Sequence, residues 1–444
     1  MRTPAASTVM ARLFTWLQGR HLLQLVIRNT VWQVTDKVIR MGVGLLVGVW
    51  VARYLGPAGF GLLNFGIAFV AIFTPIADCG LQQMVIRELI RRPADESKIV
   101  ASALALRVIG AAFAVGMSML CAMLLRPGAA EVHLVVLVVG LSLFPISWDV
   151  IDFYFQARMR PRPIVIIRVL SLLVFAAAKI ALIVNEAPLL SFAWVIVGEA
   201  ALSALLMWLL VSAPPRSLVL RGVCWAEMRT LLALSWPLAV SGLSVMLYMR
   251  IDQIMLGRML GDRAVGMFSA AVRVSEAWYF FPIAMLAATA PALTSLHSVS
   301  SELYRSRLLL SIRVVLGISV AVAVLLTMFG NHVVNFLYGP SYQDAAQVLV
   351  IHVWAGVFVA LGVAASPFFV NAGLQSIKMI HTVLAGFLNV ALNAWLIPRF
   401  GVIGAAWSTL VSYSFAAFWL NAVWSKTRPL FALQLASFKL YSRA

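Results

Sequence analysis

Residues 31–51 read VWQVTDKVIRMGVGLLVGVWV, long enough to cross a bilayer and yet carrying Asp36, Lys37 and Arg40. A hydrocarbon core takes about 20 apolar residues per helix. Charged groups at that depth are costly and face a bundle interior or a water-filled path. Eleven more apolar stretches follow almost end to end, at 62–86, 100–125, 134–155, 164–184, 189–211, 231–256, 265–293, 308–329, 345–370, 377–397 and 402–424. Within the stretches lie Asp78, Arg107, Asp149, Asp152, Arg168, Lys179, Glu199, Arg250, Asp252, Arg273 and Glu276. The longest connection is roughly 15–20 residues, far short of a soluble catalytic domain. The expectation is an all-α integral membrane protein of about twelve transmembrane helices with a polar path through it, a transporter and not an enzyme.

Composition agrees with that class: of 444 residues 62% are hydrophobic and 11% charged, which excludes an ordinary soluble protein. The net charge of +18 would suit nucleic acid, but its distribution argues otherwise. With both termini on one side, that side holds 22 Lys and Arg and the opposite side five, the other seven being intramembrane. Positive-inside bias then places both termini in the cytoplasm and makes anionic lipid headgroups the surface partner, with no nucleic acid. Cys79, Cys121 and Cys224 are too few and too scattered for a metal or disulfide framework. Neither a catalytic residue nor a cofactor motif is evident. Arg12, Arg20 and Arg28 interrupt any signal-peptide core. Met10, Leu13, Phe14 and Leu17 share a helical face, so residues 1–28 are either an amphipathic surface helix or a disordered basic tail.

The segment around Pro214-Pro215 divides the spans six and six. It gives a first lobe at 29–213, a linker at 214–228, a second lobe at 229–425 and a cytoplasmic tail at 426–444. Echoes support the cut. Ala52-Arg-Tyr-Leu-Gly56 recurs as Gly257-Arg-Met-Leu-Gly261, each followed by a glycine five residues on, Gly61 and Gly266. Phe73-Thr-Pro-Ile-Ala77 recurs as Phe280-Phe-Pro-Ile-Ala284, and Ala193-Trp194 as Ala406-Trp407. Six spans per half keep the halves in one orientation, a parallel repeat around a central cleft.

At 52–66, Ala-Arg-Tyr-Leu-Gly-Pro-Ala-Gly-Phe-Gly-Leu-Leu-Asn-Phe-Gly, the chain resembles the bacterial polysaccharide-biosynthesis flippases of O-antigen type. These belong to the multidrug/oligosaccharidyl-lipid/polysaccharide exporter superfamily. The resemblance continues at Val85-Ile-Arg-Glu-Leu89, Arg250-Ile-Asp-Gln-Ile-Met-Leu-Gly257, Val265-Gly-Met-Phe-Ser-Ala270 and 389–401. It implies a two-lobed, twelve-helix flippase of the inner membrane. Its cargo would be an oligosaccharide on a polyprenyl diphosphate carrier, its partners the polysaccharide polymerase and chain-length machinery. The second half departs mildly from that pattern, with few charges in its helices.

The polar stripes admit functional and structural readings. Gln33, Asp36, Lys37 and Arg40 share one arc of the first span, a cationic lining or a neutralised anchor. Arg168 and Lys179 on the fifth span either line the cavity or snorkel to the two interfaces. Asp149 and Asp152 on the fourth repel each other unless protonated or paired, with Arg107 or Arg168 as partners. Asp78 ends a stripe with Asn64 and Thr74, and Glu199 lies near mid-membrane, a coupling acid or a partner of Lys179. In the second half, Ser241, Ser244, Tyr248 and Asp252 form a seam on the seventh span and Ser269, Arg273 and Glu276 one on the eighth, which points to an Asp252–Arg273 pair. Asn389 and Asn393 share a face and either bind sugar hydroxyls or join helices. Lys37, Arg40, Arg107, Arg168, Lys179 and Arg273 are thus the candidate diphosphate-binding cations. Asp36, Asp78, Asp149, Asp152, Glu199, Asp252 and Glu276 are the candidate ion-coupling or pairing acids. The rival readings are an ion-coupled multidrug exporter, a lipid II flippase and, from another class, a membrane-embedded polymerase or glycosyltransferase.

Overall fold

Inside a bilayer no water reaches the backbone, so each N–H and C=O must be satisfied within the segment, and helix is the economical solution. The computed structural model describes residues 5–212 and 222–438, and every regular element among them is helical. The first half runs α1 (Ala5–Asp78), α2 (Leu81–Arg91), α3 (Glu96–Leu125), α4 (Ala130–Leu141), α5 (Leu143–Ile146), α6 (Val150–Ala157), α7 (Arg162–Val184) and α8 (Leu189–Ser212). The second runs α9 (Trp225–Met259), α10 (Asp262–Glu276), α11 (Phe280–Val299), α12 (Ser301–Tyr338), α13 (Gln343–Ala364), α14 (Ser366–Asn371), α15 (Gln375–Ser414), α16 (Leu420–Val423) and α17 (Arg428–Phe438). Among the described residues nine helical stretches are long and apolar enough to cross a membrane.

Two of these, of 57 and 49 residues, are too long for one crossing. At 1.5 Å per residue they would extend about 85 Å and 74 Å, against a hydrocarbon core of about 30 Å. The second is broken at Gly401 (φ 60°), and the first at Gly56 (φ 65°) and again at Cys79-Gly80 (φ 51° and 63°), where α1 gives way to α2, in a left-handed region that glycine enters without a Cβ penalty. The stretches at 31–51 and 62–86 therefore lie on either side of the Gly56 bend, the second continuing past Gly80 into α2, and those at 377–397 and 402–424 lie on either side of the bend in α15. The stretch expected at 265–293 is divided by a turn between α10 and α11, so it forms no continuous crossing helix. Pro367 begins α14 after a break at Ala365, whereas α9 runs on through Pro237.

At the start of the chain α1 is helical from Ala5 and continuous with the first apolar stretch. The side chains of Met10, Leu13, Phe14 and Leu17, and the break at 213–221, lie outside the described residues. Much of the segment expected as a tail folds back as α17, burying Leu430, Leu433 and Gln434. Gln434 accepts from Asn421 at 3.0 Å and donates to the Ala417 carbonyl at 2.9 Å.

The sequence echo is also a contact. A Cβ on Gly61 would lie 1.7 Å from the Asp262 carbonyl oxygen, and one on Gly266 would lie 1.9 Å from that of Pro57. Pro57 follows Gly56 as Asp262 follows Gly261, and the two preceding glycines share one backbone shape, φ/ψ 65°/174° and 85°/−176°. Each half thus presses the same glycine against the same carbonyl of the other, the relation a two-fold axis produces. The arginines of the echo act in the same reciprocal way. Arg53 donates to the Phe336 and Leu337 carbonyls at the end of α12, and Arg258 donates to Leu125 O at the end of α3, 2.9 Å away. Arg126–Asp262 at 2.5 Å and Tyr342 Oη to Ala52 O at 2.8 Å complete a clasp between the halves.

Candidate functional site

A cavity of about 180 Å³ lies just inside this clasp, with room for roughly six waters at about 30 Å³ each. Both arms of α1 line it with α7 and α8, and Arg273 enters from α10 of the other half. Gly48 makes that entry possible, because a Cβ there would stand 1.8 Å from an Arg273 guanidinium nitrogen. The guanidinium lies over Phe60, 5.3 Å from the ring centre, and its one hydrogen bond among the described residues, to Asn64 Oδ1, is long at 3.5 Å. Most of its donors are left for another acceptor. Across the cavity stands Lys179, whose ammonium is 3.6 Å from Glu199. Glu199 also lies 3.8 Å from Arg40, which reaches Asp36 at 3.4 Å. Two cations therefore line the cavity, and the acid that serves one of them is shared with a third.

The other candidate cations are placed differently. Arg107 is buried and ion-paired with Asp78, while Arg168 pairs with Asp149 and Asp152 at 3.0 Å each. The two adjacent carboxylates thus share one guanidinium, and Asp152 also accepts from Gln156 at 2.9 Å. This row of charges ties crossings together and contributes no residue to the cavity wall. Lys37 is exposed on the first arm of α1, outside the cavity. Glu276 forms no ion pair among the described residues, although Arg250 and Arg273 are its charged neighbours.

The Asp252–Arg273 pair expected from helix spacing does not form. Asp252 turns away from α10 and accepts from Asn393 Nδ2 at 2.5 Å and Thr409 Oγ1 at 2.8 Å, both on α15. Asn393 donates in turn to Asn389 Oδ1 at 2.9 Å, so the asparagines serve Asp252 and not a sugar. All four residues are buried, and Asn389 Nδ2 and Asn393 Oδ1 remain without partners. The hydrogen-bond partners of Asp252 among the described residues are all neutral, and a buried charge without a counter-charge is costly in a membrane. Thr409 and Gly48 escaped the sequence reading. Neither carries charge, and their roles arise from helices far apart in the chain.

Comparison with known proteins fits this geometry. The family described as polysaccharide biosynthesis protein matches residues 26–297, and the MatE family matches residues 237–395. A probable flippase, AglR of Haloferax volcanii, is 30% identical over 210 residues, 45% of this chain and 41% of that protein. The capsular polysaccharide biosynthesis protein CapF of Staphylococcus aureus is 23% identical over 189 residues, 42% of this chain and 48% of that one. The chain thus matches less than half the length of these relatives. Among solved structures, an inward-facing multidrug resistance MATE transporter of the MOP superfamily superposes with a TM-score of 0.68 at 17% identity, over 91% of this chain and 96% of that one. The lipid II flippase MurJ, inward closed, gives 0.67 at 12% identity over 93% and 91%. These likenesses establish the fold, that of a multi-pass membrane protein. The match across residues 26–297, more than half of the chain, makes it a member of the polysaccharide biosynthesis protein family.

Proposed function

We propose that the protein is a flippase that carries a polyprenyl-diphosphate-linked oligosaccharide from the cytoplasmic to the periplasmic leaflet of a bacterial inner membrane. The observation that carries this reading is the cavity in the first half that Arg273 enters from the second, where Arg273 and Lys179 face one space and neither is held by an acid of its own. A guanidinium and an ammonium suit a diphosphate, whereas an exporter of organic cations would need unpaired acids there. The relatives' names, a probable flippase and a capsular polysaccharide biosynthesis protein, point the same way. Both termini lie in the cytoplasm on the charge distribution. The two halves alternate by opening and closing at the glycine clasp, and the polymerase and chain-length machinery receive the product. Asp252 couples the cycle to a proton or sodium gradient, since its charge has no cationic partner among the described residues.

The test is flipping of the lipid-linked oligosaccharide in reconstituted vesicles. Removing a charge-assisted contact of about 1.5–3 kcal/mol corresponds to a loss of roughly tenfold or more. Arg273→Met should therefore slow flipping by that factor, and Arg273→Lys should retain part of the rate. Unchanged flipping by Arg273→Met would remove the diphosphate from this cavity.

A further inference from the structure

The Ser241, Ser244 and Tyr248 seam of α9 plays no part in the central cavity. It lines two adjoining cavities of about 170 and 280 Å³ inside the second half, which share Val245, Lys378 and Thr382 and so form one groove. Its outer end carries the Ser241 and Ser244 hydroxyls, the Gln375 amide and Lys378, in the first turn of α15. Its inner end is walled by Tyr248 and Tyr413, with ring centres 4.7 Å apart, and by Phe358.

Two polar groups in the groove lack what they need. The Lys378 ammonium, exposed at one end of the groove, donates to Ser366 Oγ at 2.7 Å and lies 5.9 Å from the Phe369 ring centre, but forms no ion pair among the described residues. His381 is 2% exposed, with Trp424 4.9 Å and Phe369 6.1 Å away, and neither ring nitrogen has a partner among the described residues. A hydrocarbon tail in the groove would leave the buried His381 unsatisfied and give the Lys378 charge no counterpart. A diphosphate would bring more charge than one ammonium can match. Hydroxyls and an amide that both donate and accept, aromatic walls for an apolar ring face, and one cation match a pyranose bearing a carboxylate.

We infer that this groove is a glycan-side subsite for an acidic, uronate-type sugar of the lipid-linked cargo, with the carboxylate on Lys378 and a ring hydroxyl on His381. The inference rests on the flippase reading and places the sugar in a groove separate from the diphosphate cavity.

The experiment measures binding of sodium glucuronate, glucose and inorganic pyrophosphate to the full chain in lipid nanodiscs by saturation-transfer NMR. Glucuronate should bind about tenfold tighter than glucose, the value of one charge-assisted contact. Lys378→Met should abolish that preference, and His381→Phe should weaken both sugars, while pyrophosphate binding persists in each variant and reports an intact fold. Arg273→Met should do the reverse. Equal affinity of the wild type for glucuronate and glucose would overturn the assignment, as would an undiminished preference in Lys378→Met. Weaker pyrophosphate binding by a folded Lys378→Met would overturn it too, by making the groove a diphosphate site. If pyrophosphate never binds but the Lys378-dependent preference holds, the central cavity loses its role and the groove keeps its own.

Discussion

Replacing Gly266 by alanine puts a methyl carbon 1.9 Å from the Pro57 carbonyl oxygen, where ordinary contact begins at about 3.4 Å. The obstacle is backbone on a facing helix, so no side chain can swing aside, and α10 and α1 must part by about 1.5 Å. Overpacking of this kind costs about 1–3 kcal/mol. Charged to the clasped state alone, it moves the clasped-to-open equilibrium by about 5- to 150-fold toward open. The assay is thiol labelling in a background without Cys79, Cys121 and Cys224. A cysteine at Ile67, which lines the cavity, is exposed to a membrane-impermeant maleimide added outside intact cells. A cysteine at Ser341 serves as the outside reference. Gly266→Ala should raise the Ile67 labelling rate at least about fivefold, and Gly61→Ala should do the same because the contact is reciprocal. An unchanged rate, with Ser341 labelled normally and the protein inserted, would refute the view that these glycines hold the halves together.

Asp252→Asn keeps an acceptor for Thr409 and removes the charge, so flipping should continue but lose its response to imposed proton or sodium gradients; a retained response moves coupling elsewhere. Asp78→Leu strands the Arg107 guanidinium, whose side chain is 3% exposed, whereas Arg107→Met leaves a carboxylate that is 42% exposed. The first change should cost about 3–5 kcal/mol in a thermal unfolding assay and the second clearly less. Equal losses would mean the pair is not asymmetric. Cysteines at Gly128 and Ser341 should label from outside intact cells, and one at Ala94 only after permeabilisation; outside labelling at Ala94 inverts the topology.

The apolar stretches and the repeated glycines were legible because each depends on local composition. Bilayer thickness fixes the length of a stretch whatever its neighbours do. The Gly61 and Gly266 echo identified positions that meet in space, since a repeat built about one axis brings equivalent residues to it. Pairs between adjacent crossings were half legible: Lys179 with Glu199, and Arg168 with Asp149 and Asp152, were among the partners considered. Asp252 with Arg273 was the error. Counting rise along two helices fixes depth but not the direction each side chain faces, and α15 supplies Asn393 and Thr409 on the side that Asp252 turns to. Lys378 stands one residue inside the apolar stretch at 377–397, where its charge alone gives no partner. Its place in the groove depends on Ser366, twelve residues earlier across a turn.

The order of the ion pairs in the first half bears on how the chain enters the membrane. Asp78 with Arg107 bridges the second and third crossings, Asp149 and Asp152 with Arg168 bridge the fourth and fifth, and Lys179 with Glu199 bridges the fifth and sixth. A single charged residue at a helix centre costs about 2.5–3.5 kcal/mol during translocon-mediated insertion. In these three sets the counter-charge arrives on the next crossing to emerge, so their charges are compensated hairpin by hairpin during synthesis. Arg40 with Glu199, at 3.8 Å, joins the first crossing to the sixth and forms only when the last helix of the half has arrived. Ribosome-bound chains that stop before α8 should consequently hold α7 less firmly in the bilayer than chains that extend past Glu199.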